Sequence, residues 1–285
     1  MKLFSKRRIS GSLRGDIAMF TLLALLSIFM IFPFYFTIVQ SIKPMEELFI
    51  FPPKLYAQSP TFENFTELFK VAGNLWVPFS RYVFNSLFVT IVVTVANIFC
   101  ASSAAYVLAK VKMPGQKLLN QVIVLSLLFT SAVTGIMQYM VMAVLGMIDS
   151  YFALILPAVA TPMGLFLMKQ FMGQVPDSLI EAARIDGAGH FRTCWQVVMP
   201  NVKPAWLTLI VFSFQGAWNI TGQNFVYNES LKTLPTVMSQ ITASGLARQG
   251  ISFAGAVIMM LPPLIVFIAT QSNVMETMAH SGIKE

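Results

Sequence analysis

Hydrophobic residues in this chain gather into long runs, and polar residues gather between them. Six runs are long enough, or nearly so, to cross a lipid hydrocarbon core, which takes about 20 helical residues. They predict six transmembrane helices: Ile17–Val39, Tyr82–Ala109, Leu118–Leu145, Tyr151–Met168, Pro204–Ile220 and Phe253–Ala269. The predicted fold class is therefore an all-α membrane protein. Residues 1–16 form a short preceding segment, and residues 17–285 form one six-helix domain.

The composition agrees with a membrane location. Of the 285 residues, 56% are hydrophobic and 11% are charged, whereas a soluble protein has about 25% charged residues. The formal charge of +7 does not require a nucleic-acid partner, because Lys and Arg mark the cytoplasmic loops of membrane proteins. We expect membrane lipid, and no nucleic acid, around this chain.

The positions of Lys and Arg predict the orientation. Basic residues precede the first run, which is too long for a cleaved signal peptide. They recur in the loops 110–117 and 169–203. By the positive-inside rule both termini and these loops are cytoplasmic. The external segment 221–252, with Gln223, Asn224 and Tyr227, is either a docking or substrate loop or a flexible connector.

Asp, Glu, Lys, Arg and His are absent from the sequence of the six predicted spans. Ion-coupled carriers usually place a charged group within the bilayer. The chain also lacks a GxxxxGK[ST] phosphate loop, a nucleophile–base pair and a metal-ligand cluster. We therefore expect neither an enzyme nor a cofactor or metal site in this chain.

Uncharged polar side chains stand in or beside the spans instead. Most can be explained as hydrogen bonds between helices. A passage lined by amides, hydroxyls and rings would also suit neutral, hydroxyl-rich solutes such as sugars. The candidate residues for such a passage are Gln138, Gln215, Trp218 and Asn219.

The cytoplasmic segment 169–203 predicts a short helix. Ser178 and Glu181 have the spacing of a capping box, which predicts the helix start. Gly187 and Gly189 predict that the helix then ends or bends sharply. The spacing also puts a set of residues on one helix face, namely Leu179, Ala182, Ala183 and Asp186.

This segment resembles the EAA loop of ABC importer permeases. That loop runs Glu-Ala-Ala, three residues, Gly, nine residues, then Ile-x-Leu-Pro. Here it falls on Glu181, Ala182, Ala183 and Gly187, and the apolar end falls on Val197, Met199 and Pro200. The full spacing, between two predicted spans of a six-span protein, is far more specific than the three-residue match alone.

Other stretches resemble the carbohydrate-importer permeases related to the smaller membrane subunit of the maltose system. They are FPFYFTIVQSIKP (32–44), SPTFENF (59–65), RYVFNSL (81–87), AAYVLAKVKMPG (104–115) and MIDSYFALILP (147–157). With the EAA loop, the resemblance covers nearly the whole chain. The resemblance implies the type I ABC importer fold and a location in the bacterial cytoplasmic membrane. It also implies that the EAA loop forms a coupling helix.

The resemblance also implies partners and roles. Two ATPase subunits would bind ATP and Mg²⁺, and their closure would push a coupling helix that includes Glu181, Ala182, Ala183, Asp186 and Gly187. A second permease chain, which makes a heterodimer, would complete the pathway. An external solute-binding protein would deliver the sugar, an oligosaccharide by this resemblance.

Two other classes of protein stay open at this point. A self-contained secondary carrier or channel for a neutral solute would need intramembrane ion ligands or an inverted repeat, and neither is evident in the sequence. A structural membrane-assembly protein would not need the ordered EAA spacing.

Overall fold

A computed structural model of the chain describes residues 13–281 except 74–76, 130, 223, 244 and 246–247, and within these the side chains of 13–14, 131–133 and 272–281 are not described. In the described part every regular element is helical, which confirms the all-α prediction. The chain divides into a smaller unit, residues 1–68 with 245–257, and a larger unit, residues 69–244 with 258–285. The predicted boundary between the segment 1–16 and the domain 17–285 lies close to residues that the structure does not describe. It stays a prediction.

The helices follow the chain in this order: α1 (Leu13–Ser41), α2 (Met45–Leu48), α3 (Glu63–Gly73), α4 (Phe79–Lys110), α5 (Gln116–Ser126), α6 (Ser131–Val144), α7 (Tyr151–Val159), α8 (Pro162–Gly173), α9 (Asp177–Ile185), α10 (His190–Arg192), a π-helical turn (Thr193–Val198), α11 (Met199–Asn201), α12 (Lys203–Trp218), a 3₁₀ turn (Glu229–Leu231), α13 (Leu234–Ala243) and α14 (Gln249–Ser281).

Four helical segments of the described chain are long and apolar enough to span a bilayer: Gly15–Ser41, Phe79–Lys110, Tyr151–Gly173 and Gln249–Gln271. A fifth results if His190–Asn201 and Lys203–Trp218, which meet at a bend of 90°, form one broken span. These segments contain or overlap five of the predicted spans. The described structure therefore gives four or five spans, where the sequence predicts six.

The predicted third span, Leu118–Leu145, is not one continuous helix. It is divided into α5, which ends at Ser126, and α6, which begins at Ser131. The Ser126 hydroxyl donates to the Ile123 carbonyl at 2.6 Å, and such bonds compete with the helical ladder. The residues from 126 to 135 are rich in Ser, Thr and Gly, which are weaker helix formers than the aliphatic residues around them.

The fourth predicted span is interrupted after Val159, and α8 begins at Pro162, which has no N–H to continue the helical ladder. The side chain of Asn97 in α4 supplies hydrogen bonds at this break. Its Nδ2 donates to the Val159 carbonyl at 2.5 Å and to the Thr161 hydroxyl at 2.8 Å. Its Oδ1 accepts a hydrogen bond from the Ser213 hydroxyl of α12 at 2.7 Å. One buried amide therefore joins α4, the α7–α8 break and α12.

The core of the larger unit lies where α4, α8 and α12 pack together. Gly164 of α8 allows this close approach, because a Cβ atom there would lie 2.8 Å from Leu209 Cδ1 and 2.7 Å from the Thr161 hydroxyl oxygen. The buried residues of this core include Ala105, Met168, Met172, Val198 and Ala205. The same scaffold carries α9 after α8, and it borders a cavity at the α7–α8 break.

Candidate functional sites on α9 and beside the α7–α8 break

Helix α9 begins at Asp177, two residues earlier than the capping box predicts. Its N-cap is Pro176, with φ −59° and ψ 137°, and no side chain makes a capping hydrogen bond there. Ser178 lies in the first turn, so the predicted capping box between Ser178 and Glu181 is wrong. The physical reason is that Pro176 brings the chain into the helix in an extended conformation, while Asp177 is held by an ion pair.

The end of α9 is a backbone motif that requires Gly187. Its φ of +78° lies in the left-handed region, where a side chain would clash with the backbone. The Gly187 N–H donates to the Arg184 carbonyl at 3.0 Å, and the Ala188 N–H donates to the Ala183 carbonyl at 2.9 Å. These two bonds form a Schellman motif, which satisfies free carbonyls at a helix end. The predicted helix end is confirmed, and the motif explains the three-residue spacing between Ala183 and Gly187.

The two alanines of α9 face different surroundings. Ala183 is buried with Ile180, which belongs to the core of the larger unit. Ala182 is exposed, as are Leu179 and Asp186. The predicted common face is therefore wrong for Ala183, because the helix packs its Ile180–Ala183 side onto the core.

A large apolar side chain extends the exposed face of α9. Ile185 is 87% exposed and lies three residues after Ala182, so both point the same way. Phe191, in the short helix that follows, is also exposed. Glu181 and Asp186 add carboxylates to the same exposed segment. Reasoning from the sequence missed Ile185, although its spacing from Ala182 was a usable signal.

Lys110, the last residue of α4, joins the start of α9 to the end of α8. Its ammonium donates to the Asp177 carboxylate at 2.7 Å, to the Val175 carbonyl at 2.6 Å and to the Gly173 carbonyl at 3.3 Å. The hydrogen bond from Lys110 lowers the pKa of Asp177. The ion pair therefore persists at neutral pH, and it is lost only as the pH falls through that lowered pKa.

A groove of about 540 Å³ opens beside α9. Its charged lining residues are Lys110, Lys112, Asp177, Glu181 and Arg184. Cations and carboxylates alternate there, so the groove can form salt bridges with a partner of either sign. Among the described residues, no group of three or more His, Cys, Asp or Glu side chains could hold a metal ion.

A second cavity, of about 800 Å³, lies beside the α7–α8 break. Of the four residues predicted to line a passage, Gln138 and Asn219 line this cavity. Gln215 is exposed outside the lining, and its carbonyl accepts a hydrogen bond from Asn219 Nδ2 at 2.8 Å. Trp218 is buried, and its indole N–H donates to the Met259 carbonyl at 2.9 Å. The structure thus brings two of the four predicted residues together.

The described lining of this cavity is uncharged. Its polar residues are Ser126, Thr134, Gln138, Thr161, Asn219 and Thr221, and its aromatic residues are Phe129 and Phe225. Amides and hydroxyls can hydrogen bond to a neutral polar solute, while rings can cover its apolar faces. Reasoning from the sequence missed the two phenylalanines, because nothing local distinguishes a ring facing a cavity from one facing lipid.

Several hydrogen bonds hold the loop after α12, and two of them come from Asp149 and Asn85. The Asp149 carboxylate accepts a hydrogen bond from the Tyr227 N–H at 3.0 Å. Nδ2 of Asn85, a buried residue of α4, donates to the Ser230 carbonyl at 2.8 Å. These bonds argue against a flexible connector between Tyr227 and Ser230. Gln223, also named in the prediction for this loop, lies outside the described residues.

Comparisons with known proteins agree with this architecture. Residues 22–274 match the family described as binding-protein-dependent transport system inner membrane component. The chain is 31% identical over 275 residues to protein LplC of Bacillus subtilis (strain 168), with 89% of each chain covered. It is 30% identical over 261 residues to the sn-glycerol-3-phosphate transport system permease protein UgpE of Yersinia enterocolitica serotype O:8 / biotype 1B, with 90% of this chain and 93% of UgpE covered.

Two further similarities extend the comparison. The chain is 26% identical over 280 residues to the arabinooligosaccharides transport system permease protein AraQ of Bacillus subtilis (strain 168), with 94% of this chain and 95% of AraQ covered. A chain of a solved bacterial ABC transporter, involved in the import of the acidic polysaccharide alginate, has the same fold. Its TM-score is 0.77 at 20% identity, and the match covers 93% of this chain and 99% of that one.

The helical membrane architecture agrees with that of a transporter permease. The chain belongs to the family of binding-protein-dependent transport system inner membrane components. It is an inner-membrane permease subunit of an ABC importer, as the resemblance in its sequence predicts.

Proposed function

We propose that this chain passes sugars, and oligosaccharides in particular, from an external solute-binding protein into the cytoplasm. Two ATPase subunits supply the energy by hydrolysing ATP with Mg²⁺, and a second permease chain completes the pathway. The observation that carries this proposal is α9, an exposed helix with an apolar tip that is anchored to α4 and α8 through Lys110.

In the proposed topology the chain crosses the membrane six times. The α5–α6 pair is the third crossing, and α12 is the fifth. The end of the bundle that carries Lys110, Lys112 and Arg184 is cytoplasmic, because Lys and Arg concentrate on the cytoplasmic side. Both termini lie on that side as well.

In the proposed coupling, the ATPase subunits dock on α9. Ala182 and Ile185 contact the partner, and Glu181 and Asp186 form salt bridges with it. Ala183 fastens the other face of α9 to the core of the larger unit. When the ATPase subunits close around ATP, they push α9, and Lys110 transmits this displacement to α4 and α8.

The uncharged cavity supports a neutral substrate. An anionic solute that leaves water needs a counter-charge, and the described lining offers none. The relatives differ in the charge of the solute for which they are named. UgpE is named for sn-glycerol-3-phosphate and AraQ for arabinooligosaccharides. The cavity of this chain favours the second kind of substrate, a neutral oligosaccharide.

We expect Lys110→Met to lower the amount of sugar transported per ATP hydrolysed, because α9 loses its link to α4 and α8. The Val175 carbonyl, which is partly buried, also loses its donor, at a cost of about 1–3 kcal/mol. The measurement is the ratio of uptake to ATP hydrolysis in proteoliposomes that contain the complete transporter. The control is Lys112→Met, which removes the same charge from the same groove. An equal loss in both variants would show that charge, and not the link through Lys110, sets the ratio.

We expect Asn219→Leu to raise the KM for a neutral oligosaccharide about tenfold, because one lost hydrogen bond to substrate costs about 1–3 kcal/mol. The control is Thr208→Val in α12, the helix that Asn219 follows. The Thr208 hydroxyl donates to the Pro204 carbonyl, and Thr208 lies outside the cavity lining. Uptake of a labelled oligosaccharide is measured with the complete transporter. An unchanged KM for Asn219→Leu would remove this cavity from the proposed pathway.

A further inference from the structure

The segment between α1 and α3 in the smaller unit exposes most of its large apolar side chains and buries the charged Lys43 and Glu47, although Glu46, Gln58 and Ser59 are exposed. Lys43, Glu47 and Asn64 are buried. Phe51 is 92% exposed and Tyr56 is 58% exposed. The exposed apolar side chains of this segment also include Met45, Phe49, Ile50 and Leu55. A segment facing water would have the opposite arrangement, so this pattern indicates apolar surroundings.

The buried polar side chains bind the backbone of this segment. The Lys43 ammonium donates to the Lys54 carbonyl at 2.6 Å. The Glu47 carboxylate accepts from the Gln58 N–H at 2.9 Å and 3.1 Å. Backbone polar groups surrounded by lipid must be paired within the protein, because lipid offers them no hydrogen-bonding partner. Lys43 and Glu47 meet this requirement here.

The depth of the segment follows from a hydrogen bond to α1. The Tyr35 hydroxyl donates to the Leu55 carbonyl at 2.8 Å. Tyr35 lies seven residues from Ile28, the middle of the span Gly15–Ser41. At about 1.5 Å per residue, Tyr35 is about 10 Å from mid-span, inside the ~15 Å half-thickness of the hydrocarbon core. The segment therefore turns back along α1 to the boundary between headgroups and acyl chains.

We propose that residues 45–56 insert into the membrane interface beside the C-terminal end of α1. The exposed side chains of Phe49, Ile50, Phe51, Leu55 and Tyr56 rest there in the headgroup–acyl boundary. None of these residues lines the substrate cavity or belongs to α9. This lipid contact surface continues the lipid-facing surface of α1, where many large apolar side chains between Phe20 and Met30 are exposed. Apolar segments at this boundary insert by about 5–10 Å, which agrees with the depth of Leu55.

The test compares two aromatic substitutions in the complete transporter, reconstituted into vesicles of phosphatidylcholine with or without bromine on the acyl chains. Tyr56→Trp reports from the proposed lipid contact surface. Phe62→Trp is the matched control, because Phe62 is also exposed but follows Thr61, whose N–H binds the Ile42 carbonyl just beyond the end of α1. Both signals are measured as differences from the wild-type chain, which has four tryptophans.

We expect brominated lipid to remove about half of the emission added by Tyr56→Trp, and little of that added by Phe62→Trp, because interfacial side chains reach the acyl chains. Equal and weak quenching of both variants would overturn the proposal. Neither result bears on whether the transporter imports sugar, which uptake by the same vesicles measures separately.

Discussion

Uptake by the complete transporter falls about tenfold or more when Gly187 is replaced by Val. Gly187 has a φ of +78°, and an L-residue in the left-handed region costs roughly 1–2 kcal/mol, with a β-branched side chain at the upper end. The Schellman motif then opens, and the end of α9, with Ile185, moves away from its docking position. The measurement is uptake of labelled sugar at a matched amount of the chain in the membrane, which the substitution leaves unchanged.

The control for this prediction lies two residues away. Gly189 has a φ of −71°, and a Cβ there meets no atom within 4 Å. Gly189→Val therefore adds the same side chain to the same segment without backbone strain. We expect its uptake to stay within about twofold of wild type. If both variants lose uptake equally, bulk in the segment matters and the left-handed turn at Gly187 does not.

Association with the ATPase subunits weakens about 10- to 100-fold when Ile185 is replaced by Asp. Burying an isoleucine side chain at an interface contributes about 1.5–3 kcal/mol, and the carboxylate adds a desolvation cost in the same place. Because Ile185 is exposed in the chain itself, the fold and membrane insertion should not change. The measurement is the amount of ATPase that co-purifies with the permease pair over a range of ATPase concentrations.

Ile185→Leu is the matched variant for this measurement. It keeps the apolar volume, and volume-conserving apolar exchanges usually cost less than about 1.5 kcal/mol. We therefore expect association close to wild type. Normal ATPase association of Ile185→Asp would exclude the exposed tip of α9 from the docking surface.

The long apolar runs were enough to predict several helices of this fold. The runs Ile17–Val39, Tyr82–Ala109 and Phe253–Ala269 lie within α1, α4 and α14. Continuous apolar sequence of this length has few alternatives in a bilayer. The run from Leu118 to Leu145 does not form one continuous helix. Hydropathy does not detect that Ser and Thr side chains compete there for the hydrogen bonds of the helical backbone.

The interruption after Val159 could be anticipated only in part. Pro162 predicts a break, but the bonds that stabilise it come from Asn97 and Ser213, which are distant along the chain. Asn97 looks like any other polar residue in an apolar run. Such partners become visible only when the helices are packed.

The candidate site on α9 was predictable to the same limited extent. The spacing from Glu181 to Gly187 indicated a short helix with a glycine end, and the Schellman motif gives the physical reason. The role of Lys110 was not predictable, because its three acceptors lie 63 to 67 residues away along the chain. The direction in which Ala183 points also depends on packing, since the core beneath α9 is formed by other helices.

Reconstitution tests whether the energy for transport is supplied from outside this chain. Proteoliposomes are prepared with this chain alone, with the permease pair, and with the complete transporter, solute-binding protein and ATP. Sugar uptake is then measured in each. If the ATPase subunits supply the energy, we expect uptake only with the complete transporter, solute-binding protein and ATP. The loaded binding protein should then stimulate ATP hydrolysis. Movement of sugar down its gradient by this chain alone would contradict the account and identify a self-contained carrier or channel.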